Sequence, residues 1–300
     1  MKKLCHRPQR TLSRPAEVCG VGFLTGSNVR LRFLPAPPDS GVVFVRTDLR
    51  TAPRIAATVR NVTGTQRRTT LGRAPAYVTL VEHVMAALGG MRIDNCFVEL
   101  NAPEPPGLDG SARRFVEVLA EAGAVLQPAK RPVWTVSEVV TVSHAGATLT
   151  IHPAEEDVLR VSYLLDYGLG CAIGWQSHTQ NVTPEGVMTD VAGCRTFLLE
   201  DEANEFRRQG FGVRLSPADL LVFGPRGPIG NSLRFANEPA RHKVLDIIGD
   251  LALFGADLRG HVVAYRSGHP LNVDLVRELT SRQTTPILPF AIGGSFRVAA

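Results

Sequence analysis

The chain has 300 residues, 44% of them hydrophobic and 20% charged, which suits one large or two ordinary folded domains and excludes disordered and fibrous classes. A formal charge of only +5, no long Lys/Arg block and 6% aromatic residues argue against a nucleic-acid groove or a base-stacking platform. No apolar run reaches the roughly 18 residues of a membrane helix. The basic start Met1-Lys2-Lys3 has no apolar stretch behind it, so neither a membrane span nor a signal peptide is expected. Five scattered cysteines without a C-x-x-C pair point to reduced thiols and a cytoplasmic location.

In chain order, residues 9–50 alternate apolar and polar positions with glycine punctuation, as in Val29-Arg30-Leu31-Arg32-Phe33, and predict strands joined by turns. Residues 55–63 predict another strand. A helix is expected over Thr79–Leu88, stopped by Gly89-Gly90, and then a strand at Cys96–Leu100. After a Pro-rich turn, Ser111 opens a helix through Ala122, with Gly123 placed to end it. Residues 127–133 hold two prolines and charge and predict a linker between domains 1–127 and 132–300. Strands follow at 134–143, 147–152 and 158–165, then helices after Pro184 and near 201–209. A strong helix runs from Pro239 to Phe254, a strand covers 261–266, Pro270 opens a last helix, and a short strand closes the chain. Each half therefore places strands before helices. This predicts two similar α+β domains, a divergent duplication.

Three segments carry candidate chemistry. His242, Asp246 and Asp250 are spaced four apart and stack on one helix face, where an imidazole and a carboxylate can converge on a metal. The same stripe also fits a solvated face of an otherwise apolar helix, with Lys243 pairing to Asp246. Glu82-His83 adds a carboxylate beside an imidazole, but Thr79-Leu80-Val81-Glu82 matches a capping box, and spacing alone favours that structural role. His269, in Ser267-Gly268-His269-Pro270, falls at the start of the last helix. There the helix dipole and a nearby carboxylate would act oppositely on its proton, a balance that suits a general acid; an ordinary polar cap is the plainer reading.

Together these segments resemble the UDP-3-O-acyl-N-acetylglucosamine deacetylases, zinc hydrolases of lipid A synthesis. The resemblance runs through Gln9-Arg10-Thr11-Leu12, Gly20-Val21-Gly22, Arg46-Thr47-Asp48-Leu49, Val81-Glu82-His83, Ile93-Asp94-Asn95 and Leu108-Asp109-Gly110-Ser111. It continues through Arg195-Thr196-Phe197, Arg241-His242-Lys243 to Asp250, and Ser267-Gly268-His269, in the family's order. It implies a two-domain α+β sandwich with the site between the domains and an insert in each. It also implies zinc, with Fe2+ the alternative in the cell, held by His83, His242 and Asp246. By the same resemblance Glu82 is the general base, Thr196 stabilises the oxyanion, and His269, held by Asp250, protonates the departing amine. Lys243, Arg266, Asp166, Tyr167 and Phe197 would bind an acylated UDP-amino sugar. The expected state is a cytoplasmic monomer beside the inner membrane, with no nucleic-acid partner. Two departures stand out: Leu24 where the family has a histidine, and Arg214 to Asp219 where it has a Gly-rich loop. They motivate a second reading, a non-catalytic or substrate-shifted paralogue.

Overall fold

Two five-stranded sheets share one topology in this computed structural model, which describes residues 1–283 apart from 213, 215, 217 and 218. The expected closing strand, and Pro217 of the altered loop, lie outside the described residues. In space the first sheet runs Ala16–Val21, Asn28–Pro35, Cys96–Leu100, Val42–Arg46, Arg54–Ala56. The second runs Val140–His144, Ala147–His152, Gly260–Tyr265, Leu159–Asp166, Trp175–Asn181. In both, the last strand in chain order lies at the centre, antiparallel to the second and parallel to the third. The inward faces follow the period-2 pattern. Val29, Leu31 and Phe33 are buried in one sheet, and Val262 and Ala264 in the other.

Six helices complete the layers: α1 (Glu82–Gly90), α2 (Arg113–Ala122), α3 (Pro184–Gly186), α4 (Glu200–Arg208), α5 (Glu238–Leu251) and α6 (His269–Ser281). Helices α1 and α2 flank the central strand of the first sheet in sequence, as α5 and α6 flank that of the second. The duplication expected from sequence therefore extends to the helices. Helix α2 packs on the first sheet, α5 and α6 on the second, and α1 meets α5 between them. The chain is an α+β sandwich of two similar halves. Among the described residues, no helix is long and apolar enough to cross a membrane.

Helix α5 is apolar on most sides, with Val244, Leu245, Ile247, Ile248 and Leu251 all buried, because it is covered by a sheet, by α6 and by α1. His242, Asp246 and Asp250 are buried as well, so they do not form a solvated face. Where α1 crosses α5, Gly249 is the contact. A Cβ there would overlap the backbone carbonyl of Glu82.

Each half carries an insert before its interface helix. In the first it is the small sheet of Val62–Gly64, Thr70–Arg73 and Ala76–Thr79. In the second it comprises α3, a π-turn over Val187–Val191, the strands Phe197–Leu199, Leu221–Gly224 and Gly227–Pro228, and α4. The expected strand at 55–63 is broken by a 3-10 turn at Val59–Asn61. The segment expected as a linker lies within the strand Ala124–Thr135, paired along the N-terminal strand Lys2–Leu12. Of its two prolines, Pro128 sits where the register shifts and Pro132 stands opposite His6. Arg7 and Arg131 each bind both Asp94 of the first half and Asp257 of the second, which fastens this crossing to both.

Gly249→Ala replaces a helix-weakening residue, a gain of up to about 1 kcal/mol. The overlap with a backbone atom should cost more, about 1–3 kcal/mol. The urea midpoint of the variant is expected to fall; an unchanged midpoint would mean that the two helices have room to part.

Candidate functional site

Helix α1 begins at Glu82 with Val81 as its N-cap and no side-chain cap, so the capping box expected from Thr79 does not form. Thr79 instead ends a strand and pairs its hydroxyl with Thr70 at 2.7 Å, and Leu80 turns the chain at φ 57°. That turn sends the Glu82 carboxylate inward, where only 4% of the residue remains exposed. Its Oε2 accepts a hydrogen bond from the Thr69 N–H at 3.1 Å. Burial raises the Glu82 carboxyl above the ordinary carboxylate range, and the His269 and His83 rings offset part of that rise.

His83 on α1 and His242 and Asp246 on α5 bring three donor atoms within 4.8 Å of one another. Asp246 Oδ1 lies 3.3 Å from His242 Nε2 and 3.7 Å from His83 Nε2. Nitrogen and oxygen ligands set tetrahedrally about 2.0–2.1 Å from a zinc ion stand about 3.3 Å apart, so this donor set fits such an ion with little adjustment. His242 Nδ1 faces the Cys194 carbonyl at 3.1 Å. That contact assigns the proton to Nδ1 and leaves the Nε2 lone pair directed at the other donors. Burial pushes the His242 pKa down to about 4, which keeps the ring neutral. Lys243 Nζ donates to Asp246 Oδ2 at 2.9 Å, the i,i+3 pairing read from sequence. Burial would raise the Asp246 carboxyl, but His242 and Lys243 hold it well below the usual carboxylate range.

Behind the donors, His269 Nδ1 lies 2.8 Å from Asp250 Oδ2. The N-cap of α6 is Gly268, and His269 is the first helical residue, one position later than a capping role would need. Burial pulls the His269 pKa down, yet the Asp250 and Glu82 carboxylates outweigh it and push it up to about 9. Its Nε2 then stands 3.9 Å from both Glu82 Oε1 and Asp246 Oδ2. The Glu82 carboxylate, the His269 ring and the three donor atoms thus converge on one point.

They open into a cavity of about 580 Å³, whose walls also include Thr196, Phe197, Asp166, Tyr167 and Arg266. Every site residue expected from sequence lines this space except Asp250, which lies fully buried beneath His269. The Thr196 hydroxyl donates to the Gly110 carbonyl at 3.2 Å. Phe197 packs between the rings of Tyr167 and His242, with Lys243 Nζ 5.4 Å from its centroid. Asp166 accepts from the Tyr265 hydroxyl at 2.6 Å and the Gly168 N–H at 2.9 Å. Arg266 holds φ 54°, a left-handed conformation that costs a non-glycine residue energy and is retained where it aims a side chain. Leu24 lines the cavity, while its N–H and that of Thr25 bind the buried Glu104. Arg214 reaches from the second insert to the Gly26 carbonyl at 2.7 Å.

Three contributors were not anticipated: Thr69, Asn272 and Tyr163. Asn272 Nδ2 donates to Asp250 Oδ2 at 2.9 Å, and Tyr163 donates its hydroxyl proton to the Ser267 carbonyl just before His269. The i,i+3 spacing of His269 and Asn272 is a signal that could have found Asn272. Thr69 lies in no motif, and only tertiary structure brings it in.

Residues 9–281 match the family model described as UDP-3-O-acyl N-acetylglycosamine deacetylase. A relative from Thermosynechococcus vestitus, named UDP-3-O-acyl-N-acetylglucosamine deacetylase, is 40% identical over 275 residues, spanning 92% of this chain and 95% of that protein. One of the same name from Trichormus variabilis is 39% identical over 276 residues, spanning 90% and 98%. A protein of Chlorobaculum tepidum whose name describes it as bifunctional is 35% identical over 298 residues; the match spans 90% of this chain but 64% of that longer protein.

A histidine whose pKa is about 9 when folded and 6.5 when unfolded stabilises the fold fully below pH 6.5 and loses that contribution as pH rises through 9. Metal-free protein should therefore lose urea resistance between pH 6.5 and 9, and His269→Gln should flatten that decline. An equal decline in the variant would place the titration elsewhere.

Proposed function

Since the chain belongs to the UDP-3-O-acyl N-acetylglycosamine deacetylase family, we propose that it works through Glu82, His269 and the donor set His83, His242 and Asp246. The reaction is hydrolysis of the N-acetyl amide of a UDP-3-O-acyl-N-acetylglucosamine, releasing acetate and the free amine, in lipid A biosynthesis. The observation that carries the assignment of roles is the convergence of a raised Glu82 carboxyl, a proton-bearing His269 and three metal-donor atoms on one cavity wall.

His83, His242 and Asp246 would hold zinc, which as a Lewis acid lowers the pKa of water and polarises the amide carbonyl. Glu82, raised by burial toward the working pH, takes the proton of the attacking water through Oε1, the oxygen that Thr69 leaves free. The Thr196 hydroxyl turns from Gly110 to the developing oxyanion. His269, kept protonated by Asp250, passes its Nε2 proton to the departing amine. The amine leaves neutral, and the proton taken by Glu82 returns to solvent or re-protonates His269.

The remaining walls suit the rest of the substrate. Lys243 and Arg266 face its phosphate or sugar oxygens, and the Asp166–Tyr167 pair, with Phe197 alongside, takes the nucleoside end. Phe23, Leu24, Leu80, Leu198 and Phe206 offer apolar surface for the acyl chain. In the same reading residues 1–127 and 132–300 are the two domains, joined by the paired strand. The protein is a cytoplasmic monomer using zinc, with no nucleic-acid partner.

Acetate release from the UDP-acyl-sugar should be chelator-sensitive and restored by about one zinc per chain. Glu82→Ala should keep its metal and lose turnover by roughly 10²–10⁴-fold, the usual reach of a general base. Near-wild-type turnover by that variant would refute the role given to Glu82.

A further inference from the structure

Thr69 is fully buried immediately before the first insert's second strand, and every polar group it carries is committed. Its carbonyl accepts the Val81 N–H at 3.4 Å, its N–H donates to Glu82 Oε2 at 3.1 Å, and its hydroxyl donates to Asp250 Oδ1 at 2.6 Å. The same hydroxyl stands 3.4 Å from His269 Nδ1. Glu82 belongs to the first half and Asp250 to the second, so one residue ties the proposed base to the residue that orients the proposed acid.

The consequence lies in which oxygens remain. With Oε2 bound by Thr69, Glu82 presents Oε1, the atom 3.9 Å from His269 Nε2. With Oδ1 bound by Thr69, Asp250 presents Oδ2 to His269 and Asn272. A carboxylate free to rotate could offer either oxygen, and each wrong choice would shift the acid or the base away from the reacting amide. We propose that Thr69 is a positioning residue for this reaction, its hydroxyl fixing Asp250 so that His269 keeps its proton on Nδ1 and aims Nε2 at the leaving nitrogen. The proposal rests on the roles assigned above to Glu82 and His269.

Thr69→Val keeps the shape and the backbone N–H but removes the hydroxyl, whereas Thr69→Ser keeps the hydroxyl. Loss of a hydrogen bond that orients a catalytic group typically costs 10–100-fold in activity. We expect kcat of the valine variant to fall by about that factor, with KM and zinc content unchanged, and the serine variant to recover most of the loss. A merely structural role would lower the melting temperature of both variants without separating kcat from KM. A second readout needs no turnover: the imidazole 15N spectrum of metal-loaded protein, in which the His269 pair of resonances should shift in Thr69→Val and return in Thr69→Ser. Unchanged kcat with an unchanged His269 spectrum overturns the proposal. If wild-type protein fails to release acetate, the assigned reaction falls, and the imidazole spectrum alone then decides whether Thr69 fixes the Asp250–His269 pair.

Discussion

The backbone contact between α1 and α5 at Gly249 is the constraint on which the site depends. A glycine there lets the first turn of α1 lie directly on the last turn of α5, so residues at the start of one helix and along the other share one small volume. His83 and Glu82 come from the first, and His242, Asp246 and Asp250 from the second. With any side chain at the crossing the helices would separate by roughly the thickness of a methyl group. The separations of 3.3 and 3.7 Å among the donor atoms would widen with them. Close packing of two helices here serves geometry first and stability second, because it sets the distance between groups that no single helix could bring together.

Burial then determines the charge of each group. In water, the His242 and His269 imidazoles, the Lys243 ammonium and the Glu82 and Asp246 carboxylates would hold protons near their ordinary values. Inside, desolvation acts on these five groups, and neighbours decide the outcome. His242, whose Nδ1 is engaged by a carbonyl, becomes neutral. His269, against Asp250 and Glu82, remains charged. Two histidines in one cavity thus take opposite protonation states, one suited to ligation and the other to proton donation.

Much of this was legible in sequence. The i,i+4 stripe of His242, Asp246 and Asp250 identified a face, and glycine and proline punctuation placed α2 and α5 nearly correctly. Periodicity could not say whether that face was wet or dry, since burial of α5 on its polar side comes from α1, more than a hundred residues earlier. The reading of Glu82 as a cap failed for a similar reason: Thr79 is drawn into a strand, and the positive φ of Leu80 breaks the local pattern that a capping box needs. The strand Trp175–Asn181 was invisible because it is an edge strand with polar side chains and only Gln180 buried, so no apolar alternation marks it. Thr69 has no sequence signal, because both carboxylates it serves are reached only through tertiary structure.

The N-terminal strand has a consequence for how the chain is made. Lys2–Leu12 is made more than a hundred residues before its partner strand, which starts at residue 124, and the arginine clamp is not complete until Asp257. For most of synthesis the strand is an open edge, the kind of surface on which nascent chains join one another. Lys2, Lys3, Arg7 and Arg10 repel other copies, and Pro8 offers no amide to a foreign strand. Of these charges, Arg7 is the one that closes the ion cluster across the two halves once Asp94, Arg131 and Asp257 are in place.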